Sequence, residues 1–249
     1  MRMIGKFYSS AATGLYSQST QMTSFVPTAV NDVVARVAYP IECELQDNEE
    51  ELQRRFFQML RMTCFVLFPL MMGLAALAEP VVRLLLTDKW IETVPLIRIL
   101  CFAWIWWPAS NMSWQLLNAK HRSDYCLKAE IIKKVIAISI LVFSLFWGIK
   151  VVCIGMLLYY VADVYVITVF SARVLPGVTF ASEMKSMLPI LAYAAVMGTG
   201  VYLLDHMISS DAVSLAAGTA AGIVLYMAVT LLTGSREAWY LLEMIKKRR

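Results

Sequence analysis

The most constraining feature of this sequence is a series of long apolar stretches that carry almost no charge. Six of them follow one another, at 62–78, 99–117, 131–149, 151–172, 186–204 and 212–235. A helix needs about 20 residues to cross the hydrocarbon core of a bilayer. The stretches lack the alternation of apolar and polar residues that a membrane β-barrel requires. They therefore predict a bundle of transmembrane helices.

The composition supports a membrane location for the whole chain. Of its 249 residues, 59% are hydrophobic and 16% are charged. A soluble domain has about 45–50% apolar and about 25% charged residues. These values argue against a disordered chain, a nucleic-acid-binding domain and a disulfide-rich secreted module.

A seventh apolar segment, 15–40, is rich in Ser, Thr and Gln, and its only charges are Asp32 and Arg36. At helical spacing Gln21, Asp32 and Arg36 share one face, with Gln18 one turn earlier. Polar groups are costly in lipid, so we interpret the segment as a spanning helix that lines a wet cavity. A surface amphipathic helix is the alternative. The fold predicted is all-α, with about seven spans in one bundle over 1–249.

The positive charges predict the orientation of this bundle. Most of the 22 Lys and Arg residues fall in connections that would share one side of the membrane, including the group at 120–134 and the tail at 246–249. By the positive-inside rule, the N-terminus is outside and the C-terminus is cytoplasmic. The net charge of +4 needs no nucleic acid to explain it. The segment 47–61 is predicted to be a cytoplasmic amphipathic helix that runs into the second span.

No enzyme motif occurs in the sequence, which has neither a nucleophile elbow nor a phosphate-binding loop. The five cysteines form no C-x-x-C pair, and only two histidines are present, so no metal site is expected. We therefore predict a protein that is not an enzyme and holds no cofactor. Intramembrane polar residues become the functional candidates.

Three groups of intramembrane residues could carry function. Arg36 and Asp32 stand four residues apart and can neutralise each other, and an arginine fork suits phosphate oxygens; a structural pair at the inner interface is the alternative. Asp163 could bind a coupling proton or sodium ion, or it could tie two helices together through a Tyr hydroxyl. Asn111 and Trp107 could contact a sugar, since aromatic rings stack on sugar faces. Helix packing or an interfacial belt is the alternative for these two residues.

Several short motifs resemble those of the bacterial polysaccharide and O-antigen flippases, which belong to the multidrug/oligosaccharidyl-lipid/polysaccharide exporter superfamily. The resemblance runs from about Ile4 to Leu204. The motifs are Ile4-Gly5-Lys6-Phe7-Tyr8-Ser9, Gly14-Leu15-Tyr16, Val37-Ala38-Tyr39-Pro40, Leu84-Leu85-Leu86-Thr87-Asp88-Lys89-Trp90 and Ile131-Ile132-Lys133-Lys134.

The resemblance implies a transporter that moves an undecaprenyl-pyrophosphate-linked oligosaccharide from the inner to the outer leaflet of the bacterial cytoplasmic membrane by alternating access. Family members have twelve to fourteen spans in two lobes, so the chain would be the C-terminal half of a truncated or partial transporter. Its partners would be lipids, the N-terminal lobe and polysaccharide assembly proteins. The family often has a basic residue shortly after the Gly-x-Tyr element, where this chain has Gln18 and Gln21. Arg36 is then the nearest alternative for phosphate.

Three other functions stay open at this point. A drug/cation antiporter of the same superfamily would have a similar pattern of spans. A membrane-embedded polysaccharide transferase or polymerase would need a large outer loop with Arg, Asp or His, but the longest outer loop, about 79–98, is short and lacks His. A non-catalytic membrane scaffold would tolerate replacement of every intramembrane polar residue.

Overall fold

The computed structural model describes residues 9–45, 47–208, 210–235 and 237, apart from five side chains (31–33, 35 and 37) in the first helix. All regular structure in this part of the chain is helical. The elements are α1 (Ser10–Glu44), α2 (Glu49–Ala76), α3 (Ala78–Leu86), a 3-10 helix (Asp88–Thr93), α4 (Val94–Trp104), α5 (Trp107–Ala119), α6 (Ser123–Leu145), α7 (Ile149–Ser171), α8 (Phe180–Met207) and α9 (Asp211–Leu232).

Five helical segments of the described chain are long and apolar enough to cross a membrane. They are Glu49–Ala76, Asp88–Ala119, Ile149–Ser171, Phe180–Met207 and Asp211–Leu232. The protein is therefore a multi-pass, all-helical membrane protein. The predicted span 15–40 lies within α1, which is rich in polar residues, and 131–149 overlaps α6, which contains several charges. The number of seven spans stays a prediction.

Helix α1 divides its polar residues between two faces. Tyr16, Ser19 and Thr23 are buried against the bundle. The hydroxyls of Ser19 and Thr23 donate to carbonyls four residues earlier in the same helix, at 2.7 and 2.9 Å, so their burial leaves no unpaired hydroxyl. Gln21 and Arg36 lie on an exposed face. This exposed face is the one that the sequence predicts to line a cavity.

Helix α2 combines the predicted amphipathic segment 47–61 and much of the span 62–78 in one continuous helix. Asn48 caps its N-terminus, because the Asn48 side chain accepts a hydrogen bond from the backbone N–H of Glu51 at 3.1 Å. Phe56 and Phe68 are fully buried. The helix packs on α8, which makes this pair the centre of the apolar core.

The predicted span 99–117 is two helices rather than one. Helix α4 ends at Trp104, and α5 begins at Trp107 with Pro108 in its first turn. Proline has no N–H to donate, so it fits at the start of a helix and interrupts a continuing one. The break starts α5 in the middle of the apolar segment, and it places the first turns of α5 next to α7.

Candidate substrate pocket

Helices α5, α6 and α7 enclose a pocket of about 270 Å³ that combines charged and aromatic side chains. We call it the Asp163 pocket. It is lined by Trp107, Ser110, Asn111 and Trp114 from α5, Glu130 and Lys133 from α6, and Tyr159, Tyr160 and Asp163 from α7. Such a combination inside membrane-spanning helices is expensive, and it marks a functional site by default.

The centre of the Asp163 pocket is a buried ion pair between two helices. Lys133 Nζ lies 2.7 Å from Asp163 Oδ1, and each side chain is only 7% exposed. Ser110 donates its hydroxyl proton to Asp163 Oδ2 from the third helix. One carboxylate oxygen of Asp163 is therefore in an ion pair, and the other accepts a hydrogen bond. Mutual pairing is what makes burial of either charge tolerable.

A second carboxylate stands beside this pair. Glu130 precedes Lys133 by one helical turn, and its Oε1 lies 3.2 Å from Lys133 Nζ. Glu130 is 37% exposed, so it connects the ion pair with the outside of the pocket. The other Glu130 oxygen lies 3.9 Å from the ammonium of Lys134, which is 71% exposed. Among the groups that line the pocket, two carboxylates face one ammonium.

Aromatic rings form the walls around the charges. Lys133 Nζ lies 5.3 Å from the centre of the Trp114 ring, within the range of a cation–π contact. The rings of Tyr159 and Tyr160 are 5.6 Å apart, and Tyr160 also packs on Trp104 at 5.3 Å. The pocket therefore offers flat apolar surfaces and hydrogen-bonding groups side by side.

Three of the residues singled out from the sequence meet in this pocket, namely Trp107, Asn111 and Asp163. Gln18, Gln21 and Arg36 do not line it and belong to α1, where Gln18 is half-buried. The side chain of Asp32 lies outside the described residues. The structure places the candidates in two regions, the Asp163 pocket and the exposed face of α1.

Two expectations about charge are wrong in detail. Lys133, which the sequence analysis counts among the cytoplasmic loop charges, is buried in α6 and paired with Asp163. Asp163 is tied to its neighbours through Lys133 and Ser110, whereas the alternative considered from the sequence was a Tyr hydroxyl. The available signal was a pair of lysines, Lys133 and Lys134, inside a largely apolar run, and the sequence alone does not show which of the two is buried.

Sequence reasoning also missed a second buried carboxylate. Glu183, in the first turn of α8, is fully buried. Its Oε1 accepts a hydrogen bond from Ser113 and its Oε2 one from Thr168, both at 2.8 Å. Ser113 lies one turn after Ser110 on α5. The two serines therefore anchor carboxylates from two different helices, which fixes α5 against both α7 and α8.

Comparisons with known proteins agree with this architecture. A family model described as "Polysaccharide biosynthesis protein" matches residues 2–95. A membrane protein of the cps region of Klebsiella pneumoniae is 30% identical over 147 residues, which is 59% of this chain. The teichuronic acid biosynthesis protein TuaB of Bacillus subtilis is 29% identical over 50% of the chain. The lipopolysaccharide biosynthesis protein WzxC of Escherichia coli is 25% identical over 53%.

The fold is also that of a solved flippase. The lipid II flippase MurJ, in its inward closed conformation, aligns with 89% of this chain at a TM-score of 0.70 and 16% sequence identity. The resemblance to the polysaccharide flippases is confirmed.

The chain spans only part of the length of the proteins that it matches. The match spans 30% of the Klebsiella protein, 26% of TuaB and 27% of WzxC. It spans 47% of the MurJ chain. The chain thus spans about half the length of the MurJ chain and less than a third of the length of each of these three relatives.

Proposed function

We propose that this chain is part of a transporter that moves a lipid-linked oligosaccharide across the bacterial cytoplasmic membrane for surface polysaccharide synthesis. One observation supports this most directly: a charged, aromatic pocket lies between membrane helices that share the fold of a lipid flippase. A polar head group needs such a route, because an oligosaccharide cannot cross hydrocarbon unaided. The N-terminus would be outside and the C-terminus cytoplasmic.

The transport cycle we propose is alternating access between this bundle and a second lobe of the same type. The exposed face of α1 would line the cavity between them. Gln18 and Gln21 would contact the polar head group, and Arg36 would attract the pyrophosphate of an undecaprenyl-pyrophosphate carrier, since its guanidinium matches phosphate oxygens. Asn111 and Trp107 would contact the sugar. Membrane lipids and polysaccharide assembly proteins would be the other partners.

Coupling to a proton or sodium gradient would act through Asp163, with Asp32 as the second candidate. The Lys133 ammonium already occupies Asp163 Oδ1. A cation or proton that binds Asp163 must therefore displace Lys133, which still has Glu130 at 3.2 Å as an alternative partner. Binding of a proton or cation at Asp163, with Lys133 retained by Glu130, would give the pocket two charge states, as a coupled transporter requires.

The test is made in the source bacterium with substitutions in the chromosomal gene. Arg36→Ala and Asp163→Asn are expected to reduce surface polysaccharide and to accumulate its lipid-linked precursor in the inner leaflet. Arg54→Ala and Asp88→Asn, at side chains that are 71% and 87% exposed, are the matched controls and should leave export unchanged. Normal polysaccharide at normal protein level in both site variants would remove these residues from the mechanism.

A drug/cation antiporter is the second candidate. The observation that favours it is the excess of carboxylate over ammonium in an aromatic pocket, which would suit a lipophilic cation once Lys133 has left Asp163. In the same strains, increased ethidium accumulation with unchanged surface polysaccharide would support the antiporter and contradict the flippase.

A further inference from the structure

We propose that the Asp163 pocket is a saccharide subsite that holds one uncharged sugar unit of the cargo and rejects the pyrophosphate. The inference rests on the proposed function and makes it more specific. The two ends of the cargo would then bind at separate places in the protein. The sugar would bind between α5, α6 and α7, and the phosphates would bind elsewhere.

The charges of the pocket exclude phosphate. A pyrophosphate would meet the carboxylates of Asp163 and Glu130, and the only ammonium that lines the pocket is already 2.7 Å from one of them and 3.2 Å from the other. A phosphate in the pocket would lie close to both carboxylates, and the repulsion between like charges is strongest at short distance. The desolvation of a multiply charged anion would add to this cost. A phosphate site would need an excess of ammonium or guanidinium groups, and the pocket has an excess of carboxylate.

The position of Lys133 also disfavours a lipophilic cation. The cation would have to sit beside the ammonium, which occupies Asp163. A sugar hydroxyl avoids both conflicts, because it donates to one neighbour and accepts from another. Glu130 can accept from one hydroxyl while the Lys133 ammonium donates to an adjacent one. Donors and acceptors that alternate within one helical turn thus match adjacent hydroxyls on a ring.

The shape of the pocket agrees with one sugar ring. Its volume of about 270 Å³ lies just below the range of about 300–1,000 Å³ for drug-sized ligands. Trp107 and Trp114 on α5 and Tyr159 and Tyr160 on α7 line it from two helices. Flat rings beside a few polar groups suit a ligand with an apolar face and a hydroxylated rim.

The experiment is saturation-transfer difference NMR on the purified chain in nanodiscs, with selective saturation of aromatic protein protons. The probes are the methyl glycosides of glucose, galactose, mannose and N-acetylglucosamine, with inorganic pyrophosphate and tetraphenylphosphonium as competitors. At least one glycoside should receive saturation, and neither competitor should reduce it. Trp107→Ala should weaken apparent affinity about tenfold.

Two further variants keep the test decisive. Trp147→Ala is the matched control, because Trp147 lies outside the pocket and is 69% exposed; it should bind like the parent chain. Glu130→Ala removes a partly exposed acceptor and leaves the Lys133–Asp163 pair in place, so it should fold normally and lose sugar saturation. Melting curves show whether each variant is folded.

The contrary results are equally specific. The inference is overturned if no glycoside receives saturation, if pyrophosphate or tetraphenylphosphonium displaces it, or if folded Trp107→Ala and Glu130→Ala bind like the parent chain. Loss of polysaccharide export in the host variants without sugar binding here would retain the proposed function and remove the subsite. Sugar binding with unaffected export would retain the subsite and remove the function.

Discussion

Replacement of Lys133 by methionine should destabilise the bundle more than replacement of its partner Asp163 by asparagine. Lys133→Met leaves the buried Asp163 carboxylate with Ser110 as its remaining described hydrogen-bond donor. Loss of one partner from a buried ion pair costs about 3–5 kcal/mol. Asp163→Asn leaves Lys133 with Glu130 at 3.2 Å. The remaining charge still has a partner, so we expect a smaller cost of roughly 1–2 kcal/mol.

The measurement is the melting temperature of the purified chain in one detergent, followed by intrinsic fluorescence. A decrease of about 1 kcal/mol in the free energy of unfolding lowers the melting temperature of a chain of this size by about 2–4 °C. Lys133→Met should then melt about 6–20 °C lower, and Asp163→Asn about 2–8 °C lower. Lys134→Met is the matched control. The Lys134 side chain is 71% exposed and its ammonium lies 3.9 Å from Glu130. Lys134→Met should therefore lower the free energy of unfolding by no more than about 1 kcal/mol.

The order of the two melting temperatures, with Lys133→Met below Asp163→Asn, is the clearest test. If Asp163→Asn melts at the same temperature as Lys133→Met, or lower, then Glu130 does not support Lys133 and the three-charge arrangement is wrong. If Lys134→Met is as destabilising as Lys133→Met, then burial of the ion pair is not what sets the cost.

Substitutions at three further positions test packing and hydrogen bonds away from the pocket, each by the same melting assay. A Cβ atom at Gly218 would lie 2.8 Å from Leu77 Cδ2, so Gly218→Leu should cost about 1–3 kcal/mol and Gly218→Ala clearly less; equal melting would contradict this. The Tyr226 hydroxyl donates to the Phe65 carbonyl at 2.9 Å, so Tyr226→Phe should cost about 1 kcal/mol, and an unchanged melting temperature would count against that bond. Glu183→Leu should be less stable than Glu183→Gln, since the amide oxygen can still accept a hydrogen bond from one of the two hydroxyls that contact Glu183 and the amide N–H can donate to the other; the reverse order would show that hydrogen bonds do not hold the cluster together.

The membrane class of the fold could be predicted because hydrophobicity is summed over a whole helix. A charge-free run of this length has few other stable environments, so single residues hardly affect the prediction. The ends of helices could not be predicted in the same way. Helix α2 begins at Glu49, far before the apolar run at 62, and only the separate amphipathic pattern of 47–61 predicts this start, because charged residues continue a helix as well as apolar ones do.

The break between α4 and α5 illustrates a second limit. The run 99–117 carries no charge and is apolar up to Trp107, so its composition contains no sign of an interruption at 105–106. Pro108 was a local signal, but a proline inside a membrane helix can also be accommodated by a kink. In α2 the same residue type, Pro69, is inside a continuous helix. Which outcome occurs depends on the packing of neighbouring helices, and a single sequence does not contain that packing explicitly.

The residue types of the site were easier to predict than their partners. Trp107, Asn111 and Asp163 stand out in an apolar background, and they do line one pocket. Lys133 and Lys134 are adjacent in sequence, yet a helix rotates by about 100° per residue. One side chain is therefore 7% exposed and the other 71%. The rotation of α6 against α7 decides which of them meets Asp163.

The predicted orientation stays the same when Lys133 is left out of the count of loop charges. In the predicted topology Lys120, Arg122, Lys128 and Lys134 still fall on one side, together with the basic tail. The positive-inside rule concerns the sum of charges near the ends of spans. A single lysine that is neutralised within the bundle therefore leaves the bias intact. Orientation and the ion pair are separate consequences of the same cluster of basic residues.

The ion pair itself is better explained by function than by stability. Replacement of a buried ion pair by apolar residues of similar size is often neutral or stabilising, because the desolvation cost of both charges disappears. The double variant Lys133→Met/Asp163→Leu should therefore melt closer to the parent chain than Lys133→Met alone does. If this stable double variant still fails to export polysaccharide in the host, the charges are needed for transport. If it exports normally, the pair is only a tie between α6 and α7, and the role of Asp163 in coupling is excluded.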